Sequence, residues 1–153
     1  MWTVLLADDN AHIRDYCRAA LEEEGYRVVV ACDGAEALQA CDEAHPDLAV
    51  LDICMPRMSG LDALERLRST APELPVILFT AFDDDCLRDE RGRLATACVE
   101  KSEDLTELKR TIDRLLDRGA SHHAQDLLLH LGLPPQPCAA GGRGSHVSNN
   151  AAP

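Results

Sequence analysis

Five short apolar runs, separated by longer stretches of helical periodicity, constrain this chain more than any other feature. The runs are Val4 to Ala7, Val28 to Ala31, Leu48 to Leu51, Val76 to Phe79 and Ala95 to Val99. They are continuous rather than alternating, as in parallel strands covered on both faces. The stretches between them repeat at 3.6 residues. Ile13, Tyr16, Cys17, Ala20 and Leu21 mark a first helix, with Gly25 as its left-handed stop. Leu38 and Cys41 mark a second, followed by Pro46, and Leu61, Leu64 and Leu67 a third, ending before Pro72 and Pro75. Asp83 to Arg93 is a poor helix, rich in charge and holding Gly92. Leu105, Leu108, Ile112, Leu115 and Leu116 predict a strong last helix with Ser102 as its N-cap. Strands alternating with helices require right-handed crossovers, so the fold class is α/β: an open parallel sheet of five strands with five helices.

The tail reads differently. From Gly119 to Pro153 the only acid is Asp126 and the only base Arg143, so the formal net charge of −12 falls entirely on residues 1–118. The expected organisation is one domain over 1–118 and a C-terminal tail over 119–153. A short helix is possible near 121–131, and the Pro134-Pro135 and Gly141-Gly142 stretches read as disordered. The acidic surface repels phosphate backbones, and the tail has neither a helix-turn-helix pattern nor basic charge, so direct nucleic-acid binding is disfavoured. No run reaches the roughly 18 apolar residues of a membrane span, and the start lacks the pattern of a signal peptide. A cytoplasmic protein with protein partners is expected.

In open α/β sheets, ligands bind beyond the carboxyl ends of the strands. Asp8 and Asp9 end the first strand, Asp52 the third, Thr80 the fourth and Lys101 the fifth. Alone, the Asp pair reads equally well as a helix cap, and Thr80 and Lys101 as surface residues. Together they make a coherent pocket. Three clustered carboxylates repel one another and keep a proton unless a cation intervenes. Mg²⁺ suits them, binding one or two carboxylates, several waters and phosphate oxygens. An anionic Asp52 beside it is then a nucleophile of the kind that forms aspartyl-phosphates.

These residues, within the motifs Leu5-Leu6-Ala7-Asp8-Asp9-Asn10, Leu51-Asp52-Ile53-Cys54-Met55-Pro56 with Ser59-Gly60, Thr80-Ala81 and Lys101, resemble the response-regulator receiver domains of two-component systems. The likeness covers about residues 3–118. It implies a flavodoxin-like strand order 2-1-3-4-5. It implies that Asp52 accepts a phosphoryl group from a sensor histidine kinase or a histidine phosphotransfer protein, in phosphorelay signal transduction. It further implies Mg²⁺ held by Asp8, Asp9, Asp52 and the backbone carbonyl of Cys54, with Thr80 as switch hydroxyl and Lys101 on the phosphoryl group. Cys54 and Phe82 fall where residues tune hydrolysis of the phosphorylated state. Two positions depart from the family: Ser102 replaces the usual proline after the lysine, and Cys98 replaces the usual aromatic switch residue.

The expected function is therefore a single-domain response regulator, not an enzyme beyond self-phosphorylation and slow autodephosphorylation, with an unknown output protein. Two alternatives stay open: a phosphorylation-independent interaction module, and the receiver fragment of a longer regulator. A dehalogenase-like phosphatase would want an aspartate where Cys54 stands. The seven cysteines form no CxxC pair, which argues for small hydrophobes rather than a disulfide framework or zinc site. His122, His123 and His130 lack the partners of a structural zinc site.

Overall fold

The computed structural model describes residues 1–81 and 88–117. The readings made above for Phe82 and for 119–153 fall outside these residues.

The strands are β1 (Thr3–Ala7), β2 (Arg27–Ala31), β3 (Leu48–Leu51), β4 (Val76–Thr80) and β5 (Ala97–Glu100), all paired in parallel in the order β2-β1-β3-β4-β5. Helices α1 (Ala11–Glu23), α2 (Gly34–Ala44), α3 (Gly60–Thr70) and α4 (106–117) join or follow them. This is the flavodoxin-like order that the family resemblance implied.

Burial explains why the central runs are continuous. Every residue of β3 and β4 is buried, and so are the last four of β1, whereas the edge strands β2 and β5 are buried only in part. Alternation along each strand sends side chains to opposite faces. Leu5, Leu51 and Leu78 join Ala37 and Leu64 on the α2/α3 face, and Leu6, Val50 and Ile77 join Leu21, Leu108 and Ile112 on the α1/α4 face.

The helix ends follow local chemistry. Asn10, rather than Asp8 or Asp9, caps α1, accepting the N–H groups of His12 at 3.0 Å and Ile13 at 3.3 Å. Gly25 closes that helix at φ +93°, with Tyr26 N–H reaching back to Leu21 O and Gly25 N–H to Glu22 O. Ser59 and Asp62 form a reciprocal capping box at α3.

One expectation needs correction. Ser102 does not cap the last helix; its hydroxyl donates to Asp104 O at 2.5 Å, and the Asp104 carboxylate accepts Thr106 N–H at 2.8 Å. The carboxylate acts where the first-turn N–H groups lie bare, and Ser102 is two residues too early to reach them. The first part of the stretch Asp83 to Arg93, 83–87, lies outside the described residues; its end enters a 3-10 turn at Glu90–Leu94 around buried Gly92, capped by Asp89.

One glycine ties the fold to the pocket. A Cβ on Gly60 would lie 2.0 Å from Asp52 O, because Gly60 N–H closes the loop onto Ile53 O at 3.0 Å. A Cβ on Gly25 would meet nothing. Gly60→Ala is therefore expected to lower stability by about 1–3 kcal/mol through overpacking against backbone. Gly25→Ala should cost about 1 kcal/mol, from its left-handed φ alone. Urea unfolding of both variants checks the order.

Candidate functional site

Adjacent strand ends bring the polar residues together. β1 and β3 run side by side, with Ala7 level with Leu51, and Asp52 N–H donates to Ala7 O at 2.9 Å. The next residue of each strand thus opens on one spot. Asp8 and Asp52 are buried there, and Asp9 stands exposed at the rim. Carboxylate oxygens of all three come within 4.8 Å of one another.

Lys101 arrives from the far edge of the sheet. Its backbone N–H donates to Thr80 O at 2.6 Å, continuing the β4–β5 pairing. Its ammonium sits 2.6 Å from Asp8 Oδ2 and 3.2 Å from Asp52 Oδ2, and 5.8 Å from the centroid of the buried Phe79 ring. Thr80 is buried at the end of β4. The structure thus gathers Asp8, Asp9, Asp52 and Lys101, with Thr80 at the adjoining strand end.

The charges perturb one another in the expected directions. Burial pushes the Asp52 carboxyl above its ordinary value; Lys101 pulls it back and Asp8 adds to the rise. Burial alone would depress the Lys101 ammonium, but the two carboxylates beside it leave it raised. Asp8 Oδ1 accepts Asn10 N–H at 2.9 Å, whereas its buried Oδ2 receives no hydrogen bond of proper geometry, only the close charge of Lys101. A buried carboxylate oxygen left short of donors, within a set of hard oxygen ligands, fits a small divalent cation such as Mg²⁺.

Cys54 also lies at this rim. It is exposed, and its N–H approaches Asp52 Oδ1 at 3.4 Å. Cys17 and Cys41 are buried small hydrophobes as expected, their thiols pushed up to about 11 chiefly by burial. Cys98 departs from that reading: it is exposed on β5 and disulfide-bonded. A second grouping, Cys32, Asp33 and Glu36, also converges. Its carboxylates are already engaged, Asp33 in capping α2 and pairing with Arg57, Glu36 with the Cys32 N–H and thiol.

Two contributors escaped the sequence reading. Arg14 reaches back one helical turn to donate to Asp8 O at 2.7 Å, and Phe79 floors the Lys101 ammonium. Neither carries a local signal, since an Arg on α1 and an apolar residue in β4 are what any such helix and strand contain.

The family model described as response regulator receiver domain matches residues 4–113. The chain is 46% identical over 81 residues to a probable transcriptional regulatory protein, TcrX, of Mycobacterium tuberculosis, a match covering 53% of this chain and 35% of that one. The matched stretch thus spans about a third of that relative's length. Among solved structures, Thermotoga maritima TrrA in complex with Mg²⁺ and BeF is 35% identical, with a TM-score of 0.71 over 75% of this chain and 99% of that one. TrrA in complex with the histidine kinase ThkA is 36% identical, with a TM-score of 0.70 over 76% of this chain and 99% of that one.

The raised Asp52 carboxyl gives the pocket a pH signature. A group whose folded pKa lies above its unfolded value binds more protons when folded, so its contribution is lost as pH rises through the folded pKa. In metal-free buffer, Asp52→Asn should match the parent's stability below about pH 4, where the unfolded carboxyl is protonated, and exceed it progressively at higher pH. Urea midpoints between acid and neutral pH, with chelator present, check the sign. A parent that gains on the variant as pH rises would contradict it.

Proposed function

Because the chain belongs to the response regulator receiver domain family, we propose that it is a phosphoacceptor in phosphorelay signalling, taking a phosphoryl group onto Asp52 in a Mg²⁺-dependent reaction. The donor is the phosphohistidine of a sensor kinase or a histidine phosphotransfer protein. The observation that carries this reading is the convergence of the Asp8, Asp9 and Asp52 oxygens within 4.8 Å, with Lys101 Nζ between Asp8 and Asp52.

Each residue has a defined part. An Asp52 carboxylate oxygen forms the new P–O bond while the P–N bond of the donor breaks, and the electron pair leaves with the imidazole. Mg²⁺ held by Asp8, Asp9, Asp52 and the Cys54 carbonyl would neutralise the oxygens of the group in transfer. Lys101 need only turn from Asp8 toward the incoming oxygens to add its charge, and the Thr80 hydroxyl offers a hydrogen bond from the next strand end. Asn10 and Arg14 hold Asp8 by its Oδ1 and its backbone oxygen, leaving Oδ2 for the metal.

The output step is where this chain differs from its family. Cys98 stands exposed where an aromatic switch residue is usual, so coupled movement of hydroxyl and ring is unavailable. This keeps a second reading in view, a receiver that acts as an interaction module without phosphorylation. The match to only about a third of TcrX is equally compatible with a receiver whose output is carried elsewhere in a longer regulator.

Incubation with Mg²⁺ and a small phosphodonor should add the mass of one phosphoryl group, read by intact mass spectrometry. Chelator or Asp52→Asn should abolish the adduct, and an adduct that survives Asp52→Asn overturns the assignment. The adduct should also be long-lived, because the Cys54 side chain is a poor group for orienting attacking water. Cys54→Asn should hasten its decay after the phosphodonor is removed, measured at constant Mg²⁺.

A further inference from the structure

The loop leaving β3, residues 52–59, carries both Asp52 and the Cys54 carbonyl, and its far end is fastened to α2. Asp33 divides its carboxylate between two tasks. Oδ1 accepts Glu36 N–H at 2.8 Å, capping α2, and Oδ2 accepts Arg57 Nε at 2.8 Å together with Nη2. Beside this pair, Gly34 N–H donates to Met58 O at 3.0 Å, and a Cβ on Gly34 would lie 2.6 Å from that same oxygen. The first turn of α2 is thus seated directly on the loop. At the near end, Gly60 N–H closes the loop onto Ile53 O at 3.0 Å, against the backbone of Asp52.

We propose that Arg57 is a positioning residue for the Asp52 pocket: its ion pair with Asp33 fixes the loop to α2 and so sets where Asp52 and the Cys54 carbonyl sit. The inference rests on the Mg²⁺-dependent reading above. Arg57 occupies the left-handed region at φ 64°. That conformation costs a non-glycine residue roughly 1–2 kcal/mol, and glycine much less. A residue kept there for backbone geometry alone would be better as glycine. What arginine adds is its guanidinium, aimed at a carboxylate that cannot swing away.

That carboxylate also makes the pair firmer than an ordinary surface bridge. The Arg57 side chain is 72% exposed, but that of Asp33 is only 5% exposed, and its other oxygen is committed to the helix cap. An exposed pair between two mobile side chains contributes little. Here one partner is immobile, so binding it immobilises the loop. Groups that orient metal ligands from outside act in this way, and their loss is felt in metal affinity more than in fold.

The test separates positioning from folding. Arg57→Gly accommodates the left-handed backbone and removes the side chain with its guanidinium, and Arg57→Asn, also tolerant of that φ, removes the charge without glycine's added freedom. Asp33→Asn keeps an oxygen for the α2 cap and removes the charge. We expect each to weaken Mg²⁺ binding, measured by calorimetry, about 10-fold, and to slow phosphate uptake from a small phosphodonor. The melting temperature of metal-free Arg57→Gly should stay level or rise, since glycine relieves the left-handed φ. The double variant should bind Mg²⁺ within about twofold of either single, because coupled partners are not additive. The proposal is overturned if Arg57→Gly binds Mg²⁺ as the parent does. It is equally overturned if affinity falls only in step with melting temperature, or if the two losses add. A parent that binds no Mg²⁺ sinks the metal-dependent reading and this inference with it. A parent that binds and variants that match it sink this inference alone.

Discussion

Two buried carboxylates at neighbouring strand ends repel each other, and the rest of the site is arranged around that repulsion. Asp8 and Asp52 meet because β1 and β3 are hydrogen-bonded neighbours in register, a consequence of strand order rather than of any contact between the two side chains. Burial raises the cost of holding both charged. Lys101 lowers it by lying between them at 2.6 and 3.2 Å. The ammonium is in turn held charged by the carboxylates, against its own desolvation. Without metal the pocket is therefore a balanced triad, and a divalent cation would take over a neutralising task that Lys101 performs meanwhile.

Much of this was legible in the sequence because its information was local. Continuous apolar runs identify β1, β3 and β4 as strands buried on both faces; Asp8, Asp52 and Thr80 are recognisable because each directly follows such a run, and Lys101 because it comes two residues after the run that forms β5. Strand order was not local. Periodicity is the same for any permutation of the strands, and only the resemblance supplied 2-1-3-4-5. Capping misled in one place and left a choice open in another, for the same reason. Asp8, Asp9 and Asn10 are all good caps, and Ser102 and Asp104 are both good caps; which one acts depends on where the helix axis begins, a matter of packing.

The contacts that escaped sequence reasoning join residues far apart in the chain whose types are individually ordinary. Arg57 and Asp33 are 24 positions apart, and an arginine in a loop and an aspartate before a helix each have plain local explanations. Only the fold shows that one aspartate faces both the α2 cap and the β3–α3 loop. The close fits at Gly34 and Gly60 have the same character, since a helix-start glycine looks alike whether or not backbone lies against its Cα.

The origin of Lys101 has a consequence for how such a site changes over evolutionary time. Asp52 is rooted at the end of β3, whose every residue is buried, where nearly any substitution disturbs packing on two faces. The lysine is rooted at the end of β5, an edge strand with exposed residues at Cys98 and Glu100 and an exposed stretch from Ser102 to Asp104 after it. Exposed positions there, such as Glu100 and Ser102, can change with little cost to packing, yet they flank the group that balances the pocket's charge. The pocket's two buried carboxylates are anchored where packing leaves the sequence least free to drift, and its balancing ammonium where packing leaves the neighbouring sequence more free. Ser102 falls on that freer side, while Asp8 and Asp52 lie on the constrained one.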